Sequence, residues 1–287
     1  MQRYVDIFVA ELGSYARYLV HELTHPGERS YFYGLILVSL AVYGLELVRP
    51  WRRQQPRVRR DFWIDGFYLF FNFFLFSLLG YHAIASVASE LVRDGLAGLG
   101  LQFEGAVDVS GWPVWAQLLA LFVLRDFVQY WIHRLLHAVP ALWRVHQVHH
   151  SVEQMGFAAH MRFHPLETVI YRSIEFFPLA LMGFGITEFF AVHMIALTIG
   201  HLNHANFHLP LGPLRYLLNS PQMHLWHHAS ELAPGGANYG ISLSVWDWLF
   251  GTVHWPADEP DLELGFERVE AYPHGFFGHL AAPFRGR

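Results

Sequence analysis

The chain of 287 residues contains no cysteine and no lysine. The first absence excludes disulfides, cysteine-bound zinc, iron–sulfur clusters and thiol catalysis. The second makes every fixed side-chain positive charge an arginine. Charge is scarce altogether: 15% of residues are Asp, Glu, Lys or Arg, against about 25% in ordinary soluble domains. A formal charge of −5 offers nothing to a polyanion, so no nucleic-acid partner is expected. Internal repeats and low-complexity tracts are missing. No secretory signal is expected either, because residues 1–30 carry charges throughout and lack a small-residue cleavage pattern. What is there is apolar: 53% hydrophobic and 17% aromatic residues, with a positive mean hydropathy. That is the composition of a polytopic membrane protein.

Within residues 1–30, Val5, Phe8, Val9, Leu12 and Leu19 recur at helical spacing, with Asp6, Glu11 and Arg17 mostly elsewhere on the wheel. Either an amphipathic helix in the membrane interface or an ordinary surface helix fits. Residues 31–48 hold one charge, Glu46, and at about 1.5 Å per residue reach roughly 27 Å, nearly a bilayer core. Residues 49–60 carry six arginines, and residues 62–89 form a second expected span with Asp65 as the one charge. The stretch 90–112 reads as a Gly-rich loop with four acids against one arginine. The positive-inside rule then puts the arginine loop in the cytoplasm and the acidic loop outside. A third span begins at Pro113 and carries Arg125 and Asp126, a costly pair in lipid that points to a polar interior or a functional site. Residues 165–182 and 186–203 are two further apolar segments split by "GFG", with Arg172 and Glu175 spaced to pair. From 204 onward the chain is mixed and punctuated by Pro and Gly, the pattern of a cap on the membrane surface.

Histidine is the outlier, with 20 copies. Three groups stand out: His133 with His137; His146, His149 and His150; and His224, His227 and His228. Between the last two lies "HLNHANFH", with His201, His204 and His208. On a helix, residues three and four apart share a face. H-x3-H therefore offers two ligands to one metal, while H-x2-H-H offers three, its adjacent pair splayed by about 100° so that each can serve a different ion. Eight such imidazoles suit a dinuclear centre of Fe, Zn, Cu or Ni. Lone histidines such as His21, His82 and His193 read as interfacial or hydrogen-bonding residues, and His254, His274 and His279 as surface ones. His160 and His164, in "HMRFHPLE", stay open as ligands, as does His201. Two motifs are missing. Arg134 occupies the place where H-E-x-x-H needs its glutamate, and the Glu-x-x-His pairs of carboxylate di-iron bundles are absent. Asp126, seven residues before His133, and Asp247, in "SVWDWLFG", are candidates for holding a ligand imidazole by its second nitrogen. Asn238 could bind at the metal site but reads rather as a turn residue beside Tyr239 and Gly240.

H-x3-H, H-x2-H-H and H-x2-H-H in that order, together with "DFVQYWIHRLLH", "LWRVHQVHHS", "NHANFH", "NSPQMHLWHH" and "NYGISLSVWDWLFGT", resemble the fatty acid hydroxylase superfamily, also called the sterol desaturase family. The likeness covers about 120–255. It implies an all-α, integral-membrane, non-haem di-iron oxygenase acting on an unactivated C–H bond of a membrane lipid such as a sterol, fatty acyl or ether lipid. It also implies dioxygen as co-substrate, a separate ferredoxin- or cytochrome b5-like electron donor, and zinc as a stand-in for iron in purified protein. A further implication is a ligand between the second and third clusters, a place matched by His204 and, one turn later, His208. Because the third cluster must meet the first two, 165–203 must enter the membrane and return. About four spans, or two plus shallow hairpins, then support a cytoplasmic helical cap, with 1–287 as a single domain. Two other readings stay open: a non-redox zinc-binding or metal-transport protein, and a haem-binding membrane electron carrier.

Overall fold

The structure, a computed structural model, describes residues 1–27, 30–76, 82–100, 109–180, 182, 184 and 186–285. Among these residues there are helices and three isolated bridges but no strand. In chain order the helices are α1 (Gln2–Thr24), α2 (Tyr31–Val48), α3 (Phe62–Phe70, continued by a π-helical turn Phe71–Leu75), α4 (His82–Gly98), α5 (Val114–Ala138) and α6 (Pro140–His150). Then come α7 (Pro165–Ala180), α8 (Ile186–His204), α9 (Pro221–His227), α10 (Val245–Phe250) and α11 (Phe276–Ala281).

Helix α2 coincides with the first expected span, and it is the one helix among the described residues that is long and apolar enough to cross a membrane. Glu22 starts it from outside: its carboxylate accepts from Ser30 Oγ and from the Phe32 backbone N–H, an anion at the positive end of a helix dipole. Glu46, near the other end, is buried and accepts from the N–H groups of Phe157 and Asn206, at 2.7 and 2.8 Å. The single charge of this helix thus ties it to the two chain segments that flank the histidines.

Several expectations change. The second expected span holds α3, its π-helical turn and the start of α4, and residues 77–81 between them lie outside the described residues. The expected loop 90–112 begins as helix, since α4 runs to Gly98. Its acids meet α1: Glu90 and Asp94 pair with Arg3 at 2.6 and 2.8 Å, so the N-terminal helix is docked along α4. Residues 165–203 form two helices as the two-segment reading requires, with Gly183 and Gly185 outside the described residues. Glu175 pairs with Arg125 of α5; the side chain of Arg172 lies outside the described residues.

The arginine-rich loop packs on the segment that follows α6. Arg52 donates to Met155 O, Arg59 to Gly156 O and to Asp65, and Arg162 to Asp65 and Asp61. Three buried charges, Arg59, Asp65 and Arg162, with the partly buried Asp61, thereby fix α3 against 151–162. Helices α6, α7 and α8 all pack on α5, which brings the ends of α5, α6, α8 and α9 to one place.

Candidate metal centre

Helical spacing sets the first ligands. His133 and His137 are one turn apart on α5, and α6 carries His146, His149 and His150. His204 closes α8, and α9 carries His224 and His227, with His228 just beyond. Two groups form: His133, His137, His146, His150 and His227 in one, and His149, His204, His224 and His228 in the other. Within each, one ring nitrogen per residue lies within 4.8 Å of all the others, and every one of these side chains is buried. The two H-x2-H-H motifs divide in opposite senses. His146 and His150 stay together while His149 turns to the second group. His224 and His228 stay together while His227 turns to the first.

A neutral imidazole has one N–H and one lone pair, and the partner of one nitrogen fixes the other. Nδ1 of His133, His137, His227 and His204 donates to the carbonyls of Tyr239, Pro234, Ala237 and Gly200, at 2.7 to 2.8 Å. His146 Nδ1 donates to Glu167 at 2.8 Å. In these five rings Nε2 therefore presents a lone pair to its group. The Nε2 atoms of His204 and His149 stand 3.2 Å apart, those of His204 and His224 3.0 Å, and those of His150 and His227 3.1 Å. Bonds of about 2.0 Å to a tetrahedral cation would place ligand nitrogens about 3.3 Å apart, close to what is seen. Nε2 of His137 and His146 is buried with no partner among the described residues, a state that a cation relieves. The residues thus fit two ions, with imidazole as the donor throughout. Burial first, then the charges of neighbouring rings, holds His146, His149, His150, His224, His227 and His228 well below the ordinary 6.5. At neutral pH they are uncharged, the form that ligates.

Three of the supporting carbonyls lie on one loop, 234–239. Asn238 there is left-handed (φ 54°) and donates to Met223 O and His254 O, so it is the turn residue the sequence indicates. Gly236 has φ 66°, and a Cβ on it would stand 2.9 Å from His137 Nδ1. Asp247 accepts from the N–H groups of Tyr239 and Gly240, both at 2.8 Å, and from Thr252 Oγ1. Asp126 accepts from Ser242 N, Leu243 N and Trp246 Nε1. Among the described residues neither carboxylate bonds an imidazole: Asp247 holds the end of the loop that receives the rings, and Asp126 holds the next turn, at 242–246. The carboxylate on a ring is Glu167, fully buried in the first turn of α7. Its one local signal is an acidic residue just after His164 and Pro165.

His208 is not brought to either group. Helix α8 ends at His204, so the turn that would carry His208 round to the same face does not form. Its ring is partly exposed, pairs with Asp258 at 3.1 Å and packs on Trp51. His201 and His160 face each other through Nδ1 at 2.8 Å, outside both groups. His164 is held by Leu280 O and Leu166 N. His279, expected at the surface, is buried against Tyr68.

The family described as fatty acid hydroxylase matches residues 118–252, the stretch that carries both groups. An ornithine lipid hydroxylase, OlsE, of Rhizobium tropici is 36% identical over 173 residues, 60% of this chain and 52% of that protein. Human alkylglycerol monooxygenase is 36% identical over 199 residues, 62% of this chain and 42% of its own length. Methylsterol monooxygenase 2-1 of Arabidopsis thaliana is 27% identical over 164 residues, 52% and 60%. These matches span about half the length of those relatives. No solved structure matches significantly. The histidine-bearing region of this chain belongs to the fatty acid hydroxylase/sterol desaturase superfamily.

Proposed function

We propose that the chain is a membrane-lipid monooxygenase that holds two irons on the nine converging histidines and oxidises an unactivated C–H bond with dioxygen and two electrons. Hydroxylation balances as R–H + O2 + 2 e− + 2 H+ giving R–OH + H2O; removal of a second hydrogen instead would give an alkene. The observation that carries the reading is a cavity of about 120 Å³. It is lined by His133 and His146 of one group, by His149, His204 and His224 of the other, and by Met161, Phe163, Leu197 and Ile241. A cavity of roughly 150 Å³ takes a benzene-sized molecule, so this one has room for a few carbons of a chain rather than a whole lipid. An apolar chamber touching both groups presents C–H bonds to them. The printed activities of the relatives, one lipid hydroxylase and two monooxygenases, support the same class.

Bound irons would supply the reductive activation of dioxygen that such a bond requires, and zinc can stand in for them in isolated protein. The chain's own residues orient the rings through loop 234–239 and Glu167, and the apolar walls keep water from the reacting carbon. Electrons come from a separate ferredoxin- or cytochrome b5-like donor. The packing of the arginine-rich loop 49–60 beside the histidine groups supports a cytoplasmic site under the positive-inside rule.

The test is lipid conversion with and without air, and with and without donor. A hydroxylase puts one atom of isotopic dioxygen into the product alcohol; a desaturase puts none into the lipid. Conversion that continues unchanged without oxygen and reductant refutes the reading, and a zinc carrier would show no conversion at all.

A further inference from the structure

Some polar atoms around this cavity are used neither by the histidine groups nor by the fold. The Asn72 side chain donates its amide nitrogen to Met161 O and Phe163 O, at 2.9 and 3.0 Å. Those two carbonyls fix the orientation of the amide, and they leave Oδ1 buried with no partner among the described residues. Gln129 turns its amide nitrogen to Glu175 at 3.5 Å, which leaves Oε1 in the same condition. Thr168 Oγ1 is a third buried atom without a partner. All three residues line the cavity, and Asn72 and Gln129 are only 7% and 8% exposed.

These residues sit close to the histidines from three separate elements. Gln129 is one turn before His133 on α5. Thr168 follows Glu167, which holds His146. Asn72 holds the backbone of Phe163, whose ring stacks on His149 at 4.8 Å. A buried carbonyl oxygen without a donor is costly, and only a donor satisfies it. Glu175 is already paired with Arg125, so the wall suits a neutral donor over an ammonium group.

We infer that the cavity takes a lipid carrying a neutral hydrogen-bond donor, a hydroxyl or an amide N–H, within a few carbons of the carbon oxidised, and that Gln129 and Asn72 are the residues that recognise it. The inference rests on the monooxygenase reading and narrows its substrate class. A plain hydrocarbon chain, an ester or an ether without a free donor leaves both carbonyls unanswered. The Thr168 hydroxyl, able to give or accept, adjusts to either donor.

Two probe pairs test this without added bulk: 1-O-hexadecylglycerol against hexadecyl propyl ether, and N-hexadecylacetamide against hexadecyl acetate. Binding to iron-loaded protein in detergent is measured by titration calorimetry. At least one donor-bearing probe is expected to bind roughly tenfold or more tightly than its twin. Gln129→Met and Asn72→Leu should bring that ratio towards one at unchanged iron content, whereas Gln129→Glu, which keeps acceptors in place, should preserve the preference. Equal binding within both pairs, binding of no probe, or a preference that survives both Gln129→Met and Asn72→Leu overturns the inference. Iron content and oxygen-dependent lipid conversion are read on the same samples. If those fail, the monooxygenase reading falls; if they hold while the ratios are flat, the donor requirement alone falls.

Discussion

Glu167 is buried with one oxygen on His146 Nδ1 and the other without a partner among the described residues. A carboxylate in that position keeps the ring in one tautomer and strengthens its other nitrogen as a ligand. Glu167→Ala is therefore expected to weaken metal binding by roughly tenfold to a hundredfold, measured by metal content after dialysis against graded chelator. In the same assay His149→Ala and His227→Ala should lose metal, while His208→Ala should match the parent. Loss of metal in His208→Ala would return that residue to the ligand set. Acid supplies a second test. In the folded chain, burial holds the α6 and α9 imidazoles well below 6.5; in the unfolded chain they titrate near about 6.5. Below that pH the unfolded chain gains protons that the folded chain refuses, so metal-free protein should lose stability as pH falls and gain none from these rings above it. Thermal unfolding at pH 5.5 and 7.5 checks the sign; an equal or higher midpoint at the lower pH contradicts it.

Loop 234–239 does for three rings what Glu167 does for one. Gly236→Ala would force a side chain into a left-handed turn, against His137. Its expected cost is on the order of 1–2 kcal/mol, seen as a lower unfolding midpoint together with reduced metal content. A variant that keeps both would show that the loop yields freely. Here the limits of sequence reading are physical. Ligand spacing was legible because one helical turn is a local distance, so His133 and His137, or His146 and His150, announce themselves. His208 lies apart from both groups because H-x3-H brings two rings together only if the helix continues, and α8 stops at His204. Asp126 and Asp247 drew notice as carboxylates near histidines, but their partners lie on segments 239–252 that only the tertiary fold brings to them. Glu167 was missed because its ring is 21 residues away and across a turn.

At the scale of the molecule, α2 was readable from length and composition, while the docking of α1 along α4 was not: the pairing of Arg3 with Glu90 and Asp94 joins residues about ninety positions apart. Orientation is open to direct measurement, because the chain has no native cysteine. Single cysteines at the exposed positions Arg53 and Glu231 should be shielded from an impermeant thiol reagent in intact cells, and one at Leu99 should be labelled. Labelling at Glu231 from outside would reverse the assignment. The traded histidines have a mechanical consequence as well. With ions in place, His149 of α6 and His227 of α9 make each helix a ligand donor on both sides, so the two helices are laced like a clasp with crossed hooks. Neither can swing away while one ion stays seated. Helix α7 gives no histidine to either group, yet it lines the cavity through Thr168, Tyr171 and Glu175.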